Sequence, residues 1–450
     1  MGDFVKDGVH NYTEEKDYIP PESTAVAEHL KRFAGLKLGL MIHWSPAVQL
    51  GLMESWPLCD GEREWSQREI DWTSDMDEFS EQYRGLYKTF NPIRFQPGKI
   101  AKTAKDCGFK YLLFTTKHHD GFCMFDTAET DYKITSLKCP FSSHKHADIT
   151  KAFFNAFRAQ GMAISAYFSK PDWHNVNYWH RTPGMAKTRN VNYDVRKYPE
   201  RWEAFVRFTH RQLIELTSSY GKIDVLWLDG GWVRPDNLGQ DIRLGEIVNQ
   251  IRAESQPHLI VCDRTVGGIY ENIVTPEQAI PEKPLAIPWE ACITLGKYFS
   301  FHYEDEYKPA RKVVHTLLNV VSKGGSLALN VTPRPDGAIP PQAIAILAQL
   351  GRWLSIHGEG VYNTEICNLA PHESTVYTQI GNKTYAFVLF DDMPRLPERL
   401  FLRCSGPVNE IRLLRTNSNV PFACDGDWLR LDMADIPIHG AEFADCFVIR

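Results

Sequence analysis

Side chains able to do chemistry gather at the ends of short apolar runs in this chain: His43 with Trp44, His118 with His119 and Asp120, Tyr167 with Trp173 and His174, Trp227 with Asp229, Asp263 with Arg264, and Glu290. The sharpest case is residues 225–232, where Val225, Leu226, Trp227 and Leu228 run straight into Asp229, Gly230, Gly231 and Trp232. A continuous apolar run of that length reads as a strand buried on both faces, as in a parallel sheet. A carboxylate where such a strand ends lies at the rim where parallel-sheet enzymes keep their chemistry. The alternative for Asp229 is a turn residue ahead of two glycines.

Three reaction classes compete for this set. A two-carboxylate glycosidase needs one ionised nucleophile and one protonated acid/base, with neutral donors and flat rings to hold a sugar. Imidazoles and Arg donate to hydroxyls while indoles and phenols stack, so the set suits this class best. A metal-dependent barrel hydrolase needs several His and a carboxylate as ligands. Here the histidines are adjacent, and in a regular strand His118 and His119 point to opposite faces. A Ser or Cys nucleophile lacks its Gly-x-Ser-x-Gly elbow, and Cys123 and Cys262 lie inside apolar runs. Core or capping histidines are the structural alternative for His118 and His119.

The elements that must position these groups alternate along the chain. Apolar runs predict strands over residues 36–44, 111–119, 163–169, 224–229, 259–264, 288–294 and 326–331. Helical spacing predicts helices over 22–34, 96–107, 151–160, 199–220, 244–253, 305–323 and 341–356. Residues 51–83 are irregular and rich in Trp and acids (Glu54, Trp56, Glu64, Trp65, Trp72), too long for a plain connection. Seven or eight strands alternating with helices imply a parallel sheet. No Gly-rich phosphate loop follows any strand, which counts against a nucleotide-binding doubly wound sheet. Polar residues at many strand ends are what a (β/α)8-like barrel requires.

From about residue 367 the period changes. Short strand-like pieces at 375–380, 384–389, 398–403, 410–414, 428–431 and 441–450 have no helical period between them, and Gly381-Asn382 reads as a hairpin turn. The expected class is therefore α/β: a lead-in over residues 1–34, a (β/α)8-like barrel catalytic domain over 35–365, and a C-terminal antiparallel β-sandwich over 366–450.

Composition bounds the partners. The chain has 450 residues, 43% hydrophobic, with 12 Trp among 12% aromatic residues. A net charge of -6 without any basic run argues against nucleic acid and anionic membrane surfaces. No apolar stretch reaches the ~18 residues a membrane span needs. Residues 1–18 are polar and show no signal peptide, so a cytoplasmic protein or a mature secreted or periplasmic form would look the same. The ten cysteines are scattered without a Cys-x-x-Cys pair, which fits reduced, buried thiols.

Several of these stretches together resemble the α-L-fucosidases of glycoside hydrolase family 29. They are the segments at 39–44 (ending His43-Trp44), 115–122 (Lys117-His118-His119-Asp120-Gly121-Phe122), 167–169, 227–230 and 288–290, with Thr275-Pro276-Glu277-Gln278 and the run 324–331. The likeness covers roughly residues 35–363, and the Lys-His-His-Asp-Gly-Phe segment is its most specific piece. It implies a barrel followed by a β-sandwich, and exo-acting, retaining hydrolysis of terminal α-L-fucose from glycans or glycoconjugates, without metal or cofactor. It also implies Asp229 as nucleophile, and His43, His118, His119, Tyr167, Trp227 and Arg264 around the sugar. Glu277 falls where the resemblance places the acid/base. Glu54, close to Trp56, and Glu290 are rivals that otherwise contact substrate, as Trp56 would. The chain departs from the family at Ser45, in the first long loop, and at residues 299–303, which puts leaving-group specificity in doubt. A metal-dependent hydrolase and a non-catalytic fucose-binding protein stay open as alternatives, and a homo-oligomer is compatible with the sequence.

Overall fold

The computed structural model describes residues 12–66, 73–180, 188–391, 396–434, 436 and 440–450; Trp72 and residues 1–11 of the lead-in lie outside them. Seven parallel strands form one curled sheet: β1 (Leu38–Ile42), β2 (Tyr111–Lys117), β3 (Ala163–Ser169), β4 (Val225–Asp229), β5 (Ile260–Asp263), β6 (Glu290–Thr294) and β7 (Ser326–Asn330). Their order across the sheet is β5-β4-β3-β2-β1-β7-β6. All but the first residue of β3 and the last of β4 are buried, as expected of strands covered on both faces.

The described helices are α1 (Thr24–Ala34), α2 (Arg63–Ser66), α3 (Met76–Gly85), α4 (Pro97–Asp106), α5 (Ile149–Ala159), α6 (Pro199–Ser219), α7 (Leu244–Glu254), α8 (Ala310–Ser322) and α9 (Pro341–His357). Their ends follow local chemistry. The Asp148 side chain accepts from the Lys151 N–H at the start of α5, and Gly161, with φ of 73°, turns the chain just past its end. The helix expected from residue 305 starts only at Ala310, because Pro309 precedes it in extended geometry. The region expected to be irregular contains α3, capped by Asp75, whose carboxylate accepts from the Asp77 and Glu78 N–H groups. Its charged sequence hid a helix whose buried face is carried by Phe79, Ser80 and Tyr83.

Between β5 and β6 no regular strand closes the ring. Residues 270–278 run through the gap instead. Asp263 N–H donates to Tyr270 O (2.9 Å) and Asn272 N–H to Val261 O (2.9 Å), which ties the segment to β5. Val274 N–H reaches Pro288 O (3.0 Å), Glu290 N–H reaches Val274 O (2.9 Å) and Gln278 N–H reaches Cys292 O (2.9 Å), which ties it to β6. Pro276 has no N–H and Gln278 sits at φ of 50°, so the segment makes isolated bridges where a strand would make a ladder. This irregular closure carries Glu277.

The rest of the chain is antiparallel. Six strands, β8 (Glu365–Ile366), β9 (Thr375–Ile380), β10 (Lys383–Leu389), β12 (Ile411–Leu413), β13 (Ser418–Asn419) and β16 (Ala444–Ile449), pair in the order β13-β12-β16-β10-β9-β8; β11 (Arg399–Arg403), β15 (Trp428–Asp432) and β14 (Phe422–Asp425) form a second sheet. Tyr377, Ala386 and Phe447 of the first sheet pack with Leu402, Leu429 and Leu431 of the second in one apolar core, the sandwich arrangement the pattern predicts. The other face of the larger sheet packs on the barrel: Trp353 of α9 lies 6.0 Å from the Phe387 ring and donates through Nε1 to Ala444 O (2.9 Å). None of the ten cysteines is paired and nine are buried. Among the described residues no helix is long and apolar enough to cross a membrane.

Candidate active site

Strand register decides which side chains meet. In the β3–β4 pair Tyr167 lies beside Trp227 and Ser169 beside Asp229. Residues two apart share a face, so all four side chains point inward at the C-terminal rim. The Tyr167 and Trp227 rings stack at 5.1 Å, and the Tyr167 hydroxyl donates to Asp229 Oδ2 at 2.6 Å. Asp229 Oδ1 accepts from the Gly230 N–H (2.8 Å) and from Arg264 Nη1 (3.1 Å). That turn needs glycine: Gly230 has φ of 88°, and an added Cβ would lie 2.3 Å from Pro171 Cδ. Burial alone would push the Asp229 carboxyl up. The Arg264 charge, followed by His119 and the Tyr167 hydrogen bond, overturns this and holds it well below the usual carboxylate range. Asp229 is therefore held as an ionised carboxylate in a fixed orientation, which equips it to attack an electrophilic carbon.

The histidines do not behave as a strand pair. β2 ends at Lys117, and the chain turns with the Gly121 N–H on His118 O (3.0 Å), so the two-residue period no longer applies. The His118 and His119 rings lie 4.0 Å apart on the same side, contrary to the opposed faces expected of adjacent strand residues. Serine hydroxyls hold both rings: Ser55 Oγ is 2.6 Å from His118 Nδ1, and Ser169 Oγ is 2.5 Å from His119 Nδ1. His43 packs its ring against His118 at 4.7 Å. Burial drives all three imidazoles to the neutral form; it takes His119 down to about 3 despite the opposing Asp229 charge. His119 Nε2 is enclosed with no hydrogen-bond partner among the described residues, 3.8 Å from Asp229 Oδ2. A buried polar atom in that condition lacks a partner that a ligand hydroxyl could supply.

Donor atoms of His118, His119 and Asp229 also lie within 4.8 Å of one another, close enough to hold a metal ion. The surrounding chemistry fits a cation poorly. Arg264 already delivers positive charge to Asp229 at 3.1 Å, and both imidazole Nδ1 atoms are engaged by serines. The Arg264 guanidinium beside Asp229 would repel a dication placed among these three groups, whereas a neutral polyol meets no such repulsion.

The three rival glutamates occupy three different environments. Glu277 Oε2 accepts from Arg264 Nη2, so Asp229 and Glu277 share one guanidinium. Glu54 is buried at φ of 46°, with Oε1 4.0 Å from His43 Nδ1 and without a hydrogen-bond partner among the described residues. Burial, then the Glu277 charge, pushes its carboxyl up to about 8. Glu290 is the first residue of β6, beside Ser326 at the start of β7. Its carboxyl accepts from the Tyr111 hydroxyl (2.5 Å) and Trp227 Nε1 (3.1 Å) on the barrel floor, beneath the pocket. The expectation that Glu290 contacts substrate or supplies the proton is corrected here: a residue that opens a strand lies at the opposite end from one that closes it.

Glu290 makes the fold sensitive to pH. Burial pushes its carboxyl from 4.5 up to about 7, so between these values the folded protein holds a proton that the unfolded chain has released. Stability contributed at this site is therefore lost as pH rises through that window. We expect Glu290→Gln, which stays neutral, to gain Tm relative to the parent between about pH 5 and about pH 8. A Tm difference independent of pH across a melting series would contradict this.

His43, Glu54, Trp56, His118, His119, Tyr167, Trp227, Asp229, Arg264 and Glu277 line a single cavity of about 400 Å³. Arg189, Trp232, Arg234 and Asn237 line it too and were missed in the sequence. Trp232, three residues past Asp229, carried a signal in its position; Arg189 lies in a loop with no periodic pattern.

The sequence model of the family described as Alpha-L-fucosidase matches residues 8–359. Tissue alpha-L-fucosidase of Macaca fascicularis is 26% identical over 444 residues, spanning 92% of this chain and 86% of its own length. The solved alpha-L-fucosidase isoenzyme 1 from Paenibacillus thiaminolyticus is 30% identical with a TM-score of 0.78, over 95% of this chain and 99% of that one. A Bacteroides thetaiotaomicron alpha-L-fucosidase, solved as a trapped covalent intermediate with 2-fluoro-fucosyl fluoride, shares the fold at 20% identity and a TM-score of 0.75, over 96% of this chain and 98% of that one.

Proposed function

This chain belongs to the alpha-L-fucosidase family, and from that membership we propose that it releases terminal α-L-fucose from glycans or glycoconjugates by exo-acting, retaining double displacement. Family membership displaces the metal-dependent hydrolase and the non-catalytic fucose-binding protein as readings. The observation that carries the residue assignment is the single guanidinium shared by Asp229 and Glu277. A retaining pair needs its carboxyls about 5–5.5 Å apart, a span that two carboxylates on one guanidinium support.

In the first step Asp229 attacks C1 and the glycosidic C–O bond breaks. Glu277 gives its proton to the departing oxygen. Asp229 already accepts from Tyr167, Gly230 and Arg264 and is the carboxylate of the pair, which leaves the acid role to Glu277. Esterification removes the negative charge of Asp229 while Glu277 becomes a carboxylate. Arg264 thus faces one carboxylate charge before and after the step, and needs no rearrangement to stabilise either state. In the second step Glu277 takes a proton from water, the oxygen attacks C1, and Asp229 leaves as the free carboxylate. The neutral His43, His118 and His119, with protonated Glu54, bind hydroxyls of the sugar, and Trp227 and Tyr167 supply the apolar floor.

The reaction's stereochemistry tests this reading. Proton NMR of early turnover of an aryl α-L-fucoside is expected to show α-L-fucose before mutarotation. The β-anomer appearing first would mean direct attack by water and would overturn the two-step account.

A further inference from the structure

The outer part of the cavity takes no part in the steps above, and its residues differ in kind from those around the sugar. We propose that Arg189 is the specificity-determining residue of a leaving-group subsite that takes the sugar ring to which fucose is attached. This rests on the fucosidase reading of the inner site.

The residues are layered outward from the chemistry. His119 Nε2 is 3.8 Å from Asp229. The Trp56 and Trp232 rings lie 5.0 Å and 4.9 Å from the His119 ring. The Arg189 guanidinium lies 5.2 Å from the centre of each indole, on the cavity wall and 36% exposed. Glu62 fixes its plane by accepting from Nε (3.0 Å) and Nη2. Among the described residues nothing accepts from Nη1, so one edge of an oriented, charged fork remains for a ligand.

Among the described residues the wall here presents Arg189, Arg234 and the two indoles, with no carboxylate of its own. Indole and guanidinium faces stack on sugar rings, and a guanidinium edge donates to their hydroxyl and ring oxygens. A pyranoside leaving group uses both features; a halide uses neither. Arg189 joins the loop that carries Trp56 to the loop after β4 through its contacts with the two indoles, while the His119 ring keeps its own contacts with Trp56, Trp232 and Ser169.

The test compares the parent, Arg189→Ala and Glu62→Gln on α-L-fucosyl fluoride and on an α-L-fucosylated disaccharide. Arg189→Ala is expected to keep kcat/KM on the fluoride within about twofold of the parent and to lose about 10- to 100-fold on the disaccharide, mainly through KM. Glu62→Gln, which removes the charge of the ion pair but keeps an acceptor for Arg189, is expected to move the same ratio in the same direction by a smaller factor. It carries the test if the alanine variant fails to fold. Equal losses on both substrates would mean that Arg189 shapes the fucose pocket itself; unchanged values on both would mean that no subsite is there. Either overturns the proposal. A parent inactive on both substrates overturns the fucosidase reading first, and the subsite with it.

Discussion

Asp229→Gly is expected to lower kcat on an activated aryl α-L-fucoside by roughly ten-thousandfold or more, the scale seen when a group acting within a catalytic unit is removed. The size follows from what converges on that carboxylate. Tyr167, the Gly230 N–H and Arg264 donate to it, and their combined effect keeps it ionised despite burial. None of these donors can attack C1. The loss should also be specific to chemistry, because Arg264 keeps Glu277 as its partner and the strand ladder around β4 is backbone-made. Added azide, small enough for the vacated space, should restore turnover by attacking from the nucleophile's side and yield β-fucosyl azide. A variant within tenfold of the parent would remove Asp229 from the mechanism.

Glu277→Ala is expected to cost about a hundred- to ten-thousandfold on a fucoside with a sugar leaving group, the usual range for a lost general acid. On an aryl fucoside with a good leaving group the first step needs little protonation, so the loss there should be smaller. Hydrolysis of the fucosyl-enzyme should then limit the rate, because no base activates water. Azide needs no base, and should speed this step to give α-fucosyl azide, of retained configuration. The same assay separates Glu277 from Glu54. The Glu54 carboxyl, pushed up to about 8 chiefly by burial, is neutral below that pH, and its proposed role is to bind sugar hydroxyls. Glu54→Ala should therefore raise KM on aryl and glycan substrates alike, without azide rescue. Azide rescue in the Glu54 variant and none in the Glu277 variant would reverse the two roles.

The parts of this molecule legible in its sequence are those set by nearby residues. Seven buried strands were readable because runs such as Tyr111 to Phe114 and Val225 to Leu228 are continuously apolar. Asp229 was readable as a strand-end carboxylate, though its role came from resemblance to a known family. What resisted reading depends on where an element begins or ends. Glu290 read as a strand-end carboxylate of a strand over 288–294, and its position as the first residue of β6 puts that carboxyl on the floor instead. His118 and His119 would have opposed each other if β2 had run two residues further; the turn after Lys117 brings them together. The segment at 270–278 has no apolar period, contains a proline, and gains its place only from hydrogen bonds to β5 and β6. Arg189 depends on two indoles and a glutamate more than a hundred residues earlier or some forty later in the chain, a contact no local pattern encodes.

The central claim is that Asp229 forms a covalent bond to the anomeric carbon, and trapping that bond tests it most directly. A 2-fluoro-fucosyl fluoride should inactivate the protein in a time-dependent manner, because fluorine at C2 disfavours the cationic transition states while fluoride still leaves. Intact-protein mass spectrometry should show one 2-fluoro-fucosyl adduct, and peptide mapping should place it on Asp229. Release of the label should restore activity. A label on any other residue, or active turnover with no covalent adduct, would contradict the account.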